Sequence, residues 1–440
     1  MTRRLALLAW AVLAACSTVS QLGEIAGDVA PAMDARARED LQLPPDSTLV
    51  SLEDSDAVKP FDAIALHDAA NLSDAATSGG TPIVFPGVLA GLQGNKVVAA
   101  GNGPSCGIGE GYTLYCWGNN ARGQLGAGDA IAHSGPVDTG LRGVVDVAVG
   151  EQNVCAVLSS GDAYCWGDTR QGQLGQVSSD PIAHPMQIAL IGLAATVSIG
   201  GASSKTAISF LMRDGTVFGL GDNTEYLVRG KRGPTSLVPV QTQTNATSFS
   251  QASAGARRTC GIWQGRVMCW GSSYVGSSFP FGLSDEGFLD QNMRVSVGYD
   301  HACVLGTSGR VRCVGNNASG QLGVPSLAQN ERFPADPLAL TAIMDVAVGR
   351  SRSCVVAGSP GRVHCFGAAG ASLSSGSGSD VKSPRVVTEL PEGALQVSVG
   401  VGHICALVQN TGIYCWGDNA NGELGRATSG SSGVPLQVLR

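Results

Sequence analysis

Six times in this chain of 440 residues a cysteine is followed 9 to 11 positions later by a second one, and then by one apolar residue and a glycine. The second cysteines stand in Cys116-Trp117-Gly118, Cys165-Trp166-Gly167, Cys269-Trp270-Gly271, Cys313-Val314-Gly315, Cys365-Phe366-Gly367 and Cys415-Trp416-Gly417. A seventh anchor, Gly219-Leu220-Gly221, has lost the cysteine and keeps "GDN" after the turn. The anchors recur every 44 to 54 residues. A catalytic motif is normally written once, whereas a unit repeated at this period builds an array of structural modules.

Each unit follows one script. A β-branched run ends in glycine, as in "VVDVAVG", "MRVSVG" and "LQVSVG". A short strand such as "CAVL" follows, then a glycine turn, a strand ending in the anchor, a polar "GQLG" loop and a Pro-led stretch such as "PMQIAL". Alternation and turn spacing give about four short antiparallel strands per unit, with no helix between them. The 61 glycines and the 5 % aromatic content fit many tight turns and short strands. Seven such sheets set radially close a ring: an all-β, seven-bladed β-propeller. A linear β-solenoid is the alternative, but its coils are usually much shorter than these units.

The combined pattern "VAVG…CAL…G…YCWG.N..G.LG" resembles the repeats of the regulator-of-chromosome-condensation family. Cys155–Gly175, Cys303–Gly323 and Cys405–Gly425 match most of it, three units match in part, and the third is degenerate. The resemblance covers about Thr81 to Arg440 and implies a seven-bladed propeller. The terminal "PLQVL", Pro435–Leu439, reads like the Pro-led strand of the other units. It is expected to close the ring by completing a blade begun near Ile83–Leu92.

Twelve of the 13 cysteines form six local pairs centred on hairpin turns: Cys106/Cys116, Cys155/Cys165, Cys260/Cys269, Cys303/Cys313, Cys354/Cys365 and Cys405/Cys415. Opposed residues at a non-hydrogen-bonded site lie about 4.5 Å apart at Cα, near the lower end of disulfide geometry. The degenerate unit aligns Ser209 and Gly219 at these positions, so both partners are lost together. Disulfides are the expected state, with buried free thiols as the alternative. Zinc is disfavoured because the pairs belong to separate units.

The remaining cysteine, Cys16, gives the chain an address. Arg3 and Arg4 precede the apolar "LALLAWAVL", and Leu13-Ala14-Ala15-Cys16 resembles a bacterial lipobox. Residues 1–15 thus read as a lipoprotein signal peptide and Cys16 as the lipidated first residue of the mature protein, with Ser17 permitting outer-membrane sorting. An ordinary signal peptide is the alternative. Residues 16–80 are acidic, with no sustained period of 2 or 3.6, and read as a disordered tether. Such a coil spans roughly 45 Å on root-mean-square average. Residues 81–440 are the propeller.

Chemistry is sparse. "GGASSKT" at Gly200–Thr206 is similar to a phosphate-binding loop, yet Ile199 and Ser204 replace its glycines and a strand follows where a helix is required. His301 and His403 each precede a cysteine by two residues and read as hydrogen-bonded structural histidines. No catalytic, cofactor-binding or metal-binding set emerges, so the expectation is a non-catalytic protein without a cofactor. The net charge of -7 argues against general nucleic-acid binding. The repeat breaks in two loops. "TEYLVRGKRGPTS" concentrates Arg229, Lys231 and Arg232, and "SYVGSSFPFGLSDEGFLD" supplies Tyr274, Phe279, Phe281 and Phe288. Aromatic and arginine side chains on loops are the raw material of binding hot spots. In the alternative, these aromatics cap a degenerate blade and the cations are solvated. The resemblance implies either a nucleotide-exchange factor or an inhibitor that grips an enzyme with one propeller face, and the second suits an exported chain. The overall expectation is a monomeric, outer-membrane lipoprotein of the cell envelope that binds a protein partner. A GTPase regulator, or an enzyme acting on an envelope polymer, is the alternative.

Overall fold

Seven antiparallel sheets follow one another along the chain, each with its strands in sequence order. They are seen in a computed structural model that describes residues 95–440 apart from 203–204, 230–232, 243–247, 272–290, 326–329, 332–338, 372–378 and 428–429. Blade 1 consists of strands Val98–Ala100, Pro104–Ile108, Leu114–Gly118 and His133–Asp138. The inner strands of blades 2 to 7 are Val144–Val149, Ala194–Ala202, Phe249–Ala254, Asn292–Val297, Ile343–Val348 and Ala394–Val399. Six blades have four strands; blade 4 shows three, and its segment 272–290 lies outside the described residues. The one helical element among the described residues is a single 3₁₀ turn, Glu110–Tyr112. The chain is therefore an all-β, seven-bladed propeller, as the repeat implied.

The script explains the blades. Cysteine pairs face each other across the hairpin between the second and third strands, as in Cys155 opposite Cys165. All six pairs place Cα atoms 4.0–4.1 Å apart, with the sulfurs at bonding distance. In blade 3, Ser209 stands opposite Gly219 in the same register. The anchor glycine ends the third strand in a conformation disfavoured for other residues: Gly167 has φ 109°, and a Cβ there would collide with the Gln152 carbonyl.

The anchor tryptophans join neighbouring blades. Trp166 is fully buried, and its indole N–H donates to the Gln124 carbonyl in the polar loop of blade 1 at 2.9 Å. Trp117 reaches Glu423 of blade 7 and Trp270 reaches Leu227 of blade 3 at the same distance. The receiving loops are held by their own asparagines. Asn120 Oδ1 accepts from Leu125 N at 2.9 Å, and Asn419 Oδ1 accepts from Leu424 N at 3.0 Å. Leu125 and Leu424 are then fully buried. The "N..G.LG" loops of blades 7 and 1 are thus plugs seated under the tryptophans of blades 1 and 2.

Ring closure differs from the expectation. Ser432–Leu439, which contains the terminal "PLQVL", pairs with Gly412–Gly417 and completes blade 7 itself. Residues 83–92 lie outside the described segments. Because blade 7 supplies its own outer strand, it meets blade 1 through the junction used elsewhere in the ring. The seven glycines that end the inner strands stand shoulder to shoulder. A Cβ on Gly101 would collide with the carbonyl of Gly150, and one on Gly400 with that of Gly101. Val401 N donates to the Gly101 carbonyl at 3.1 Å, as Ala256 N does to Gly298 at 3.1 Å.

Candidate functional site

An inner strand is a sheet edge, and its N–H groups need partners. The preceding blade supplies them through side chains placed four and two residues before the glycine. Gln251 and Ser253 accept from Val295 N and Val297 N at 3.0 and 3.2 Å. Asp345 accepts from Val397 N at 2.8 Å, and Asp146 from Val197 N at 2.7 Å. At the closing junction Gln396 accepts from Val97 N at 2.8 Å and Ser398 from Ala100 N at 2.9 Å. A β-bulge just before the first of these positions turns the polar side chain to this task. The register skips Val145, Ala195, Ser250, Met293, Met344 and Leu395.

The inner strands enclose a central cavity of about 180 Å³, bordered by Lys96, Gln251, Arg294, Asp345 and Gln396. Its charges are matched. Arg294 forms an ion pair with the buried Asp345. Asp146 accepts a second backbone bond from Lys96 N at 2.5 Å, tying blade 2 to both neighbours. Burial pushes the Asp146 carboxyl up to about 7, against the pull of its two backbone donors and of Lys96. Burial likewise lowers the Lys96 ammonium, which Asp146 partly restores.

At its glycine end the cavity is bordered by Asn102, Glu151, Tyr299, Arg350 and Val401, on the face that carries the first turn and the polar loop of each blade. Around blades 7, 1 and 2 this face holds a second hollow of about 450 Å³, bordered by Glu151, Asp418, Glu423, Arg122 and Asn421. Around blades 4 to 6 arginines prevail. The Arg257 and Arg350 guanidiniums lie 5.7 and 5.2 Å from the centroid of the Tyr299 ring between them. Arg352 is committed to the frame, donating to the carbonyls of Ala368, Val401 and Ala369 at 2.9, 2.8 and 2.6 Å.

The two histidines are joints between blades. His403 Nε2 meets Ser105 Oγ at 2.5 Å, and His301 Nε2 meets Ser353 Oγ at 2.8 Å. Burial drives His301 down to about 3 and His403 to about 4, so both are neutral at physiological pH. An unfolded chain protonates histidine near pH 6.5. Between pH 6.5 and 5 the unfolded state therefore binds protons that these folded histidines refuse, and each costs roughly 1 kcal/mol of stability per pH unit as pH falls. Asp146 acts in the opposite sense, because its folded carboxyl binds a proton more tightly than the unfolded one. The expected net result is a melting temperature that falls from pH 6.5 to 5. In a His301→Gln, His403→Gln variant that slope should flatten or reverse, with Asp146 and the half-buried His364 remaining. Thermal melts at fixed ionic strength check this, and an unchanged slope would contradict it.

Of the expected binding residues, Arg229 is half-buried beside blade 3, and its backbone N donates to Asn223 Oδ1 at 3.1 Å. Lys231, Arg232, Tyr274, Phe279, Phe281 and Phe288 lie outside the described residues, as does Cys16. The resemblance of Gly200–Thr206 to a phosphate loop dissolves into two antiparallel strands, Ala194–Ala202 and Lys205–Met212. Among the described residues no group of three or more His, Cys, Asp or Glu is placed to hold a metal ion. Nor is any helix there long and apolar enough to cross a membrane. Sequence reading missed the cavity residues and the arginine–tyrosine bracket. A signal existed, since a polar residue stands four places before the glycine in every unit but the first.

Comparisons with known proteins agree with the repeat. Residues 144–173, 294–321, 395–423 and 113–157 match profiles of the "Regulator of chromosome condensation (RCC1) repeat". A human "Probable E3 ubiquitin-protein ligase HERC6" is 32 % identical over 153 residues, which are 34 % of this chain and 15 % of that protein. The HERC4 counterpart from Rattus norvegicus is 28 % identical over 233 residues, 49 % of this chain and 21 % of that protein. The chain thus spans about a fifth or less of the length of these relatives. Among solved structures, human WBSCR16 superposes with a TM-score of 0.64 at 18 % identity, covering 74 % of this chain and 94 % of that one. Prp20p from Saccharomyces cerevisiae, described with its binding properties to Gsp1p and histones, gives 0.64 at 18 % identity, covering 80 % and 91 %. These likenesses show the shared fold.

Proposed function

We propose that this chain, a propeller of RCC1 repeats, is an exported, lipid-anchored, non-catalytic module of the bacterial cell envelope that binds a partner protein through its loop-bearing face. One observation carries the reading. Frame positions are copied from blade to blade, while the turns and loops around the cavity mouth change charge and size. The glycine ring, edge caps and tryptophan plugs hold that face in place, so binding incurs little ordering cost. Prp20p, a protein of the same fold, is described as a binder of proteins; its partners are not carried over.

Export is supported by the six cysteine pairs, each set for a bridge that persists in an oxidising compartment. The lipobox-like Leu13-Ala14-Ala15-Cys16 supports the anchor, with outer-membrane sorting through Ser17. Stable attachment then takes more than one acyl chain. Metabolic labelling with palmitate tests this address. Wild-type protein should carry label in the membrane fraction, and Cys16→Ala should carry none. An unlabelled, cytosolic wild-type protein would contradict export and favour a regulator of an intracellular GTPase.

A further inference from the structure

The central cavity has matched charges but unmatched hydrogen-bonding capacity. Capping an inner strand consumes acceptors, because its open edge presents N–H groups. In the lower tier, four residues before the ring glycine, Gln251, Gln396 and Asp345 accept from Val295 N, Val97 N and Val397 N. The two glutamine amides are also spent, donating to the carbonyls of Ala252 and Asn95 at 3.1 and 2.8 Å. Two residues further, about 7 Å along the strand, serines take over the capping. Ser198 and Ser296 accept from Ala254 N and Val348 N at 3.1 Å, as Ser253 and Ser398 accept from Val297 N and Ala100 N. A hydroxyl that accepts in this way still has a hydrogen to donate. None of these four donates it to a described residue. The Lys96 ammonium is drawn to Asp146 and the Arg294 guanidinium is paired with Asp345, yet neither head group donates elsewhere among the described residues. All six of these donor side chains border the cavity. Its wall therefore holds donors in surplus and acceptors already spent. The volume of about 180 Å³ is many times the roughly 10–15 Å³ that one water needs. At the glycine end it is bordered by Asn102 and Arg350, both exposed to solvent.

We propose that the central cavity binds a small hydroxy acid, its carboxylate on Lys96 and Arg294 and its hydroxyl among the serines. An ionised carboxylate brings acceptors and no donor, which is what this wall lacks, and cationic donors hold it more strongly than neutral ones. The ligand's hydroxyl oxygen takes serine hydrogens one tier above. Ala99, Ala148 and Ala347 occupy that tier in blades 1, 2 and 6 and give the carbon chain an apolar wall. Asp146 carries the charge balance. It faces Lys96 and Arg294, burial pushes its carboxyl up to about 7, and a proton taken up there offsets the entering anion. The site is separate from the loop-bearing surface read as the place of the partner protein, so the two readings stand or fall independently.

Saturation-transfer NMR with lactate as the probe, titrated against the full-length protein, tests the proposal. Lactate should bind with a Kd in the millimolar range or tighter. Methyl lactate, which keeps the shape and loses the charge, should bind about tenfold more weakly. Propionate, which lacks the hydroxyl, should also bind more weakly. Two variants locate the site. Lys96→Gln removes one cation while keeping the backbone bond to Asp146, and should weaken lactate by about tenfold. Ala347→Leu fills the cavity without removing a hydrogen-bonding side chain, and should abolish binding. Thermal melts establish that each is folded; should one fail, the other carries the comparison. No lactate binding to the wild type, unchanged binding in the folded variants, or methyl lactate or propionate bound as tightly as lactate would each overturn the proposal.

Discussion

Reduction of the six cysteine pairs in folded protein is expected to lower the melting temperature by tens of degrees or to unfold the propeller outright. Each pair closes a loop with a sequence separation of 9 to 11. In the chain-entropy model a loop of that size contributes roughly 2.5–3 kcal/mol. Six such loops add up to about 15 kcal/mol, the upper end of the net stability of a folded protein. The bridges also act locally: each clamps the second and third strands of one blade, and blades contact chiefly their neighbours. Blade 3, with Ser209 opposite Gly219, has no such clamp and should be the first to yield to protease under mild denaturant. Scanning calorimetry with and without reductant measures the effect, and non-reducing mass spectrometry should find six linked pairs. A melting temperature unmoved by reductant, or twelve free thiols in protein purified without reductant, would contradict this.

Replacing Trp166 by alanine should destabilise the protein by about 3–5 kcal/mol through loss of a fully buried indole. The Gln124 carbonyl also loses its donor, a further cost of about 1–3 kcal/mol. Trp166→Phe narrows the comparison, because it keeps a buried aromatic ring while losing the N–H and the smaller ring of the indole. Its expected cost is about 1–3 kcal/mol. Urea denaturation followed to its midpoint checks both variants. A loss below about 1 kcal/mol for Trp166→Ala would show that the indole is not the joint between blades 1 and 2.

The blade was legible because its instructions are local and written many times. Cysteine pairs, turn glycines and alternation all act within a hairpin, so Cys155 and Cys165 could be paired without any tertiary information. The junctions were not legible, because their partners stand about fifty residues apart and carry ordinary identities. Nothing in "VVDVAVG" says that Asp146 bonds the backbone of blades 1 and 3; that depends on a bulge at Val145 and on an edge strand brought alongside by closure. The misplaced ring closure has the same origin. "PLQVL" has the pattern of an outer strand, but its sheet is not encoded in its composition, and pairing with the adjacent Gly412–Gly417 wins because that partner is already in place. His301 and His403 are structural, as their place in the repeat implies, and each is hydrogen-bonded to a serine of the next blade. The Arg257–Tyr299–Arg350 bracket assembles residues from three units, a proximity that exists only in the ring.

The central claim is that one face of this ring is the binding surface, and site-specific photo-cross-linking in the native cell tests it most directly. A photoreactive residue is placed at Ala121 or Gln171, both exposed in polar loops of the cavity-mouth face. Matched positions are Ser160 and Ile191, exposed on the hairpins and connections of the other face. Ala121 and Gln171 should give one discrete protein adduct, and Ser160 and Ile191 none. The same adduct from Ser160 and Ile191, with none from Ala121 and Gln171, would contradict the account.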